Sequence, residues 1–289
     1  MTGLSVVEYT DPMCPWAWGS EPTFRYLRAV LAGAAWRRVF GVLFDDGDDP
    51  APDPAAETRW YHRQLQEICG HTGAPWPAVL ERVALSSRPS SLAALAALEQ
   101  GSAVADRVLR RLRETVFVLG EPADTEDRVL SAAQGVPGLD VARLAEQMRA
   151  RRTAQALGRD RREARRPDPE VVGLTGPGPH PGAAKPARGG RRYGFPTIVL
   201  TGPRGRAIVP GWRPLTGYLE AAEGVAPGCV RAAAPTGDLA AHRSLTGPEI
   251  RLLLGADVPP QGAVEVCTPG GSVFLDLDEA ATHPATRGR

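Results

Sequence analysis

The chain has 289 residues, of which 43% are hydrophobic and 23% charged, and its formal net charge is +1 at pH 7. The composition is that of a globular protein with a sizeable core, and the length predicts one core domain with an insertion or an added element. The near-zero net charge excludes the strongly basic composition typical of nucleic-acid-binding domains. No apolar run reaches the roughly 18 residues of a membrane-spanning helix.

The N-terminal segment MTGL has neither the basic region nor the apolar run of a secretory signal peptide. Four cysteines are scattered through the chain without a CxxC pair: Cys14, Cys69, Cys229 and Cys267. This usage favours free thiols over a disulfide framework. We therefore expect a cytoplasmic protein with no metal site and no nucleic-acid or membrane partner. Lys185 is the only lysine, and the abundance of Ala, Gly, Pro and Arg indicates a GC-rich, actinobacterial-type source.

The first 44 residues predict a strand, a helix and a second strand. The β-rich run LSVVEY at residues 4–9 ends at a turn that contains Pro12. Apolar residues at helical spacing then continue from Pro15 to about Gly33. The apolar run WRRVFGVLF at residues 36–44 predicts the second strand.

The middle of the chain predicts a long helical block. Residues 45–58 are acidic and proline-rich, which indicates a loop. From there to Arg166 nearly every segment has a helical pattern, with breaks at residues 70–73 and 135–138. A second proline- and glycine-rich loop is predicted for residues 167–190.

The pattern returns to strands after this loop. Residues 197–200 and 207–209 predict a β-hairpin, and residues 216–223 predict a helix. In the remaining tail, Thr246 and Glu249 have the spacing of a capping box and predict a helix start. Short strands are predicted at residues 263–267 and 272–275, because apolar runs lie on either side of a Pro-Gly-Gly turn.

The order β-α-β, helical block, β-β-α predicts an α/β protein with a thioredoxin-like fold and a large inserted all-helical domain. We expect residues 1–50 and 167–228 to be the two halves of the thioredoxin-like domain. Residues 51–166 would be the helical insertion, and residues 229–289 a small accessory C-terminal region. The two halves of the sheet would meet in space.

Cys14 stands between the first strand and a helix that begins with Pro15. Proline suits the first helical position, so Cys14 should cap the helix, where free N–H groups and the helix dipole stabilise a thiolate. We expect Cys14 to have a lowered pKa and to be the only reactive thiol of the four. The alternative is a buried cysteine that acts as a small hydrophobic residue.

The segment YGFPT at residues 193–197 predicts a cis-proline loop at the start of a strand, since X–Pro bonds are those that readily become cis. Pro196 would then lie beside Cys14. The free backbone of Phe195 could pair with an extended thiol ligand or peptide, in a groove floored by Phe195 and Trp16. The alternative is a trans proline that opens an edge strand.

The motif DPMCPWAW, the helical insertion, and YGFPTIVL followed by GWRP resemble the DsbA family of thioredoxin-fold oxidoreductases. They resemble more closely its cytosolic, FrnE-like branch found in actinobacteria, and the resemblance covers about residues 4–225. It implies that Cys14 is the nucleophile and Pro196 the cis-proline. Pro15 and Trp16 match the dipeptide between the two cysteines of a CPWC motif, so the variant here is CPWA.

Ala17 stands where that motif has its second cysteine. Without this thiol, Cys14 cannot form an internal disulfide, and a mixed disulfide on it must be resolved by a thiol from solution. We therefore predict a DsbA-like thiol–disulfide oxidoreductase that uses a monothiol mechanism, without a tightly bound cofactor. Mycothiol, or glutathione as its generic equivalent, would be the co-substrate.

Two alternatives to the oxidoreductase remain open. The fold is also similar to kappa-class glutathione transferases and to chromene-carboxylate isomerases, in which the cap side chain activates a bound thiol. Related thioredoxin-fold proteins serve instead as non-catalytic peptide-binding adaptors for proteases.

The segment Arg149–Arg166 carries eight arginines. Asp160 and Glu163 interrupt it and no aromatic residues are interleaved, so a solvated helix face is favoured over a nucleic-acid surface. One of these arginines could help to bind an anionic group near the thiol. Trp18 and Trp76, together with the tryptophan of the CPWA motif, are candidates for lining a ligand cleft.

Overall fold

The structure is a computed structural model, and it describes residues 3–31, 33–45, 51–176, 178–231 and 237–287. The strands in these ranges are β1 Ser5–Thr10, β2 Ala35–Phe40, β3 Lys185–Ala187, β4 Gly190–Arg192, β5 Thr197–Gly202, β6 Gly205–Pro210, β7 Ser244–Thr246, β8 Val264–Thr268 and β9 Gly271–Leu275. The α-helices are α1 Pro15–Gly19, α2 Glu21–Val30, α3 Pro54–Thr72, α4 Arg88–Ala97, α5 Ser102–Phe117, α6 Glu126–Ala133, α7 Val141–Arg149, α8 Arg151–Ala164, α9 Leu215–Val225, α10 Leu239–His242, α11 Gly247–Glu249 and α12 Leu277–Thr282.

The central sheet has the strand order β2-β1-β5-β6. Strands β1 and β2 are parallel, whereas β5 runs antiparallel to β1, with Tyr9 opposite Thr197, and β6 completes a hairpin with β5. Two strands from each end of the helical block therefore form one sheet, which confirms the predicted α/β class and thioredoxin-like fold. The register brings the start of β5 next to the end of β1, where Cys14 follows.

Both faces of the sheet are covered by helices. On one face Val6 and Ile198 pack with Phe24 of α2 and Tyr218 of α9. On the other face Val39 belongs to a buried cluster that includes residues at the end of α8. The core of the sheet is therefore closed on both sides, and functional groups are left at the ends of the strands.

Several predicted boundaries differ from the structure. The helix predicted from Pro15 is two helices that meet at Ser20, whose hydroxyl donates to the carbonyl of Trp16 at 2.8 Å. The second strand ends at Phe40 rather than at residue 44, because the chain turns at Val42, which has a φ of 54°.

The loop predicted for residues 45–58 is shorter than expected. Asp53 caps α3 by accepting a hydrogen bond from the N–H of Ala56 at 2.9 Å, so the helix begins at Pro54. Residues 46–50 of the predicted loop lie outside the described residues. The loop predicted for residues 167–190 contains strand β3 and the start of β4.

The helical block consists of α3 to α8, and its core lies between α4, α5, α6 and α7. The long helix predicted up to residue 166 breaks at Ala150, whose ψ of 137° is extended. Residues 74–87, predicted to be mainly helical, lack α-helix. Across the ranges given above, no helix combines the length and the apolarity needed to cross a bilayer.

The C-terminal residues form a second sheet, with the order β7-β9-β8. The two predicted strands are present, as is the capping box of Thr246 and Glu249, but β7 escaped the sequence analysis because it is three residues long. Val273 and Leu275 of β9 pack in one cluster with Leu65 of α3. The C-terminal sheet is therefore part of the protein's core packing.

Candidate active site

Cys14 caps α1 from an extended conformation, with φ −88° and ψ 118°, and Pro15 follows as the first helical residue. The turn before it is held by Asp11, a fully buried carboxylate. Its oxygens accept hydrogen bonds from the N–H of Met13 at 2.8 Å, the N–H of Leu43 at 2.7 Å and the hydroxyl of Ser87 at 2.8 Å. This side chain connects the turn to the loop after β2 and to the start of α4.

The cis-proline loop lies against this cysteine. The Phe195–Pro196 peptide bond is cis. The thiol of Cys14 donates to the carbonyl oxygen of Phe195, with a Sγ–O distance of 3.5 Å. The two motifs that the sequence placed at opposite ends of the helical block are therefore in direct contact.

The electrostatics of Cys14 differ from the prediction. Burial, at 4% exposure, raises the pKa of the Cys14 thiol to about 11. The N–H groups of Ala17 and Trp16 and the charge of Arg192 lower this pKa, but the loss of hydration outweighs them, and the Asp11 carboxylate raises the pKa further. The expectation that the helix terminus holds Cys14 as a thiolate is therefore wrong for this arrangement. Helix α1 is only five residues long, and the side chain of Cys14 makes no capping hydrogen bond to it.

The surroundings of Phe195 also correct the sequence interpretation. Its ring is buried: it packs on Gly41, where any Cβ would overlap it, and the Arg192 guanidinium lies 4.7 Å from its centroid. Its carbonyl accepts a second hydrogen bond from Nε2 of His180 at 2.8 Å. A carbonyl oxygen has two lone pairs, so in this arrangement the carbonyl is already used within the protein, and the ring is not a groove floor.

Four aromatic rings form a chain of contacts that begins at Trp16, which packs in the same cluster as Cys14, and we call them the aromatic cover: Trp16, His71, His180 and Trp212. Trp16 stacks on His180 with ring centroids 4.9 Å apart, and its edge meets His71 at 5.9 Å. His71 in turn contacts Trp212 at 4.6 Å. Burial lowers the pKa of His180 to about 4, so its ring is neutral at pH 7 and serves as a hydrogen-bond donor through Nε2.

The other two tryptophans proposed as cleft residues have structural roles. Trp18 is buried, donates from Nε1 to the carbonyl of Pro75 at 2.9 Å and stacks on Phe117. Trp76 packs against the turn at Gly270, where a Cβ would overlap the indole. Neither residue contributes to the aromatic cover.

A buried charge network, which the sequence analysis did not find, joins α5 to the C-terminal sheet. Arg110 donates to Glu114 at 2.8 Å and makes two hydrogen bonds, of 3.0 and 2.9 Å, to Glu249. Glu114 also accepts from Ser244 at 2.7 Å and contacts Nε2 of His283 at 3.0 Å. Arg110 and Glu114 are four positions apart, but the other partners are more than 100 positions apart in the chain, so no local pattern predicts the network.

Three members of this region have ligand atoms within 4.8 Å of one another, as in a metal site: Glu114, Glu279 and His283. The guanidinium groups of Arg110 and Arg111 already bind these carboxylates, Arg111 at 2.5 Å from Glu279. Positive charges at this distance repel a cation, so the donor set is better explained as an ion-pair network.

The fold and the site together define a protein with a thioredoxin-like fold, with a lone cysteine at the helix cap and a cis-proline beside it. No family model matches the chain. The ClpXP adapter protein SpxH of Halalkalibacterium halodurans is 30% identical over 181 residues, which cover 58% of this chain and 56% of SpxH. The chain thus spans about half the length of the curated relative it matches.

Several solved structures share the fold. A candidate protein disulfide isomerase from Nitrosomonas europaea matches with a TM-score of 0.56 and 15% identity, over 77% of this chain and 95% of that chain. The cytosolic disulfide reductase DsbM of Pseudomonas aeruginosa matches with a TM-score of 0.52 and 17% identity, over 76% and 93% respectively. A further DsbM structure, with GSH, has a TM-score of 0.51. At these identities the similarity establishes the fold.

Proposed function

We propose that the protein is a DsbA-like thiol–disulfide oxidoreductase in which Cys14 acts as the only redox thiol. The observation that carries this proposal is the contact between the Cys14 thiol and the loop of the cis-proline Pro196, at a helix start in a fold shared with DsbM. In this proposal Cys14 is the nucleophile. When the buried site opens, Pro15, Trp16 and Pro196 form the substrate-binding surface around it, whereas Phe195 holds the Cys14 thiol through its carbonyl oxygen in the closed state.

The proposed reaction has two exchange steps. Cys14 loses its proton, and the thiolate attacks one sulfur of a substrate disulfide; a mixed disulfide forms and the other substrate sulfur leaves as a thiolate. Because Ala17 provides no second thiol, a small thiol then attacks the mixed disulfide. This step regenerates the Cys14 thiolate and releases the first substrate sulfur in a new disulfide with the small thiol.

The burial of Cys14 sets a condition on the first step. Because Sγ is buried, a disulfide can reach it only if neighbouring side chains move, and Trp16 is the half-buried member of the aromatic cover that packs in the same cluster as Cys14. Opening rehydrates the sulfur, which removes the main cause of its raised pKa, while the N–H groups of Trp16 and Ala17 still favour the thiolate. We propose that this opening controls reactivity.

Glutathione is the small thiol that we propose first, because the related fold of DsbM has been solved with GSH. Mycothiol would have the same role if the source is actinobacterial, as the composition indicates, and we place the protein with the FrnE-like branch. The proposal includes a cytoplasmic location, where such thiols are kept reduced. We also propose that residues 1–50 and 167–228 are the two halves of the thioredoxin-like domain. Residues 51–166 are then a helical insertion between them, and residues 229–289 an accessory region.

A second candidate function is a non-catalytic peptide-binding adaptor. The specific observation in its favour is the buried, protonated Cys14 beside Ala17, since a neutral thiol is a poor nucleophile. The similarity to SpxH, a ClpXP adapter protein, points in the same direction. The third alternative, a kappa-class-like transferase or isomerase, would use Cys14 to activate a bound thiol without forming a disulfide.

The mass of the intact folded protein after exposure to glutathione disulfide separates these functions. In a Cys267→Ser background, the oxidoreductase should gain one glutathionyl group on Cys14 and lose it when a reducing thiol is added. The matched Cys14→Ser variant should gain none. A protein that is modified at Cys14 only after unfolding in urea would support the adaptor. A Cys14→Ser variant that keeps full activity towards an electrophile and a thiol would exclude Cys14 as the catalytic group.

A further inference from the structure

An arginine-lined cleft lies between the C-terminal half of α8 and strand β6, and we call it the arginine cleft. It has a volume of about 570 Å³, and Arg159, Arg162 and Arg166 line it. All three are exposed: Arg159 and Arg162 are three positions apart on one face of α8, and Arg166 follows two residues after the helix ends. The stacked rings of Tyr9 and Tyr193, with centroids 4.2 Å apart, form its buried floor.

The remaining arginines of the Arg149–Arg166 segment behave differently. Four of them have acidic partners in ion pairs, namely Arg149 with Glu126, Arg152 with Glu99, and Arg161 and Arg165 with Asp45. Within the part of the chain that the structure describes, Arg159, Arg162 and Arg166 are in no ion pair. Apart from the exposed Arg151, the segment therefore divides into arginines held in ion pairs and arginines that face an open cleft.

The acidic groups of the arginine cleft do not offset these three charges. Glu163 is bound by Arg37 at 2.6 Å and by the hydroxyl of Tyr9 at 3.1 Å. Asp168 is bound by Arg206 at 2.5 Å. Each carboxylate is thus matched by a guanidinium of its own, and the cleft keeps an excess of about three positive charges in a concave surface, where a negative ligand is attracted most strongly.

We propose that the arginine cleft binds an acidic segment of a protein partner. Arg159 and Arg166 are seven positions apart, a span of about 10 Å at the helical rise of 1.5 Å per residue, and the N–H of Arg166 continues the turn by donating to the carbonyl of Glu163. About three residues of an extended chain cover this distance, so carboxylates at alternate positions meet the arginines. Guanidinium groups bind carboxylates in a two-pronged geometry, which gives this contact specificity as well as charge.

The same cleft lacks the features of a nucleic-acid site. Binding of single strands relies on exposed aromatic rings on which bases stack. Tyr9 and Tyr193 are the only aromatic residues among the described residues that line the cleft, and both are buried and stacked on each other. The proposal does not depend on redox activity of Cys14, because an acidic partner could dock here on an oxidoreductase or on an adaptor.

Fluorescence anisotropy with a fluorescein-labelled hexaglutamate peptide tests this proposal on the full chain. The triple variant Arg159→Gln, Arg162→Gln, Arg166→Gln should bind the peptide about tenfold more weakly, since three exposed ion pairs are lost. A control triple variant, Arg59→Gln, Arg63→Gln, Arg143→Gln, removes the same charge from exposed positions elsewhere and should bind within about twofold of the unmodified chain. Labelled hexaglutamine should not bind.

Circular dichroism and thermal unfolding should show that both triple variants are folded, because all six side chains are exposed. If both triple variants bound the peptide equally weakly, net charge alone would explain the effect and the proposal would be overturned. The absence of saturable binding to the unmodified chain would also overturn it. If an oligothymidylate of the same charge bound more tightly than hexaglutamate, and the cleft variant lost that binding, the ligand would be a nucleic acid and the proposal of an acidic protein segment would be wrong.

Discussion

The thiol of Cys14 donates a hydrogen bond to the carbonyl oxygen of Phe195, 181 positions further along the chain, at a Sγ–O distance of 3.5 Å. A carbonyl oxygen carries partial negative charge, so this contact stabilises the thiol and disfavours a thiolate at the same position. Burial acts in the same direction. The relationship therefore defines a resting state in which the candidate nucleophile is protonated and covered.

The first prediction concerns the reactivity of the four cysteines. Cys267 is exposed, whereas Cys14 is buried with its pKa raised to about 11, so Cys267 should be alkylated first and Cys14 slowly, at a rate that increases with pH well beyond 8.5. This reverses the expectation that Cys14 alone reacts. Pulse labelling with iodoacetamide and peptide mapping measures both rates.

The Cys267→Ser variant serves as the control for that labelling, because it removes the exposed thiol and leaves the buried Cys14 in an otherwise unchanged chain. Rapid labelling of Cys14 at pH 6 in this variant would contradict the prediction. It would mean that the aromatic cover opens often enough for the N–H groups of α1 to determine the pKa.

The second prediction is that Ala17→Cys restores a dithiol site. Residues 14 and 17 are one helical turn apart and face the same side, so oxidation should close a disulfide between them. The variant should then reduce insulin, which the parent chain should not do without added thiol. Thiol counting before and after oxidation measures closure. Because Ala17 is fully buried, Ala17→Ser is the matched control for packing; two free thiols that persist in oxidant would rule out closure.

The third prediction concerns pH and His180. Burial lowers the pKa of His180 from 6.5 to about 4. Between these values the unfolded chain binds a proton that the folded chain does not, so this contribution to stability is complete above pH 6.5 and is lost as the pH falls towards 4. The loss of stability at pH 5, relative to neutral pH, amounts to about 2 kcal/mol.

Urea unfolding at about pH 7 and about pH 5, compared between the unmodified chain and His180→Gln, measures this contribution. Glutamine keeps an N–H donor for the carbonyl of Phe195 but does not titrate. The variant should therefore lose less stability between the two values. An identical loss in both proteins would show that His180 is already exposed to solvent in the folded state.

The fourth prediction concerns the buried charge network. Arg110→Met leaves Glu114 and Glu249 buried with one partner fewer, which should lower the free energy of unfolding by about 3–5 kcal/mol. Removing a charge from the partner as well, in Arg110→Met with Glu249→Gln, should recover part of the loss. Arg151→Met, at an exposed position, is the control for the change of residue type. A loss below about 1 kcal/mol for Arg110→Met would show that the network contributes no more than a surface pair.

Much of the fold could be predicted from the sequence, because the relevant signals are local. The alternating run of β1, the hairpin of β5 and β6 and the capping box at Thr246 and Glu249 each depend on neighbouring residues only. The position of Cys14 between a strand and a helix, and of Pro196 at the start of a strand, could be read in the same way. That the two halves would meet in one sheet followed from the element order, since few arrangements of β-α-β and β-β-α form a compact sheet, whereas the strand order β2-β1-β5-β6 came from the structure.

The properties of the site were decided by the tertiary structure. The burial of Cys14, the hydrogen bond from His180 to Phe195 and the ion pairs of Arg110 join residues that are far apart in the chain, and the pKa of a thiol depends on the hydration that such contacts remove. A helix terminus favours a thiolate by a modest amount, whereas the loss of hydration in the interior opposes it more strongly. The sequence by itself therefore determined where the cysteine stands in the fold, and only the packing around it decided that its thiol is protonated.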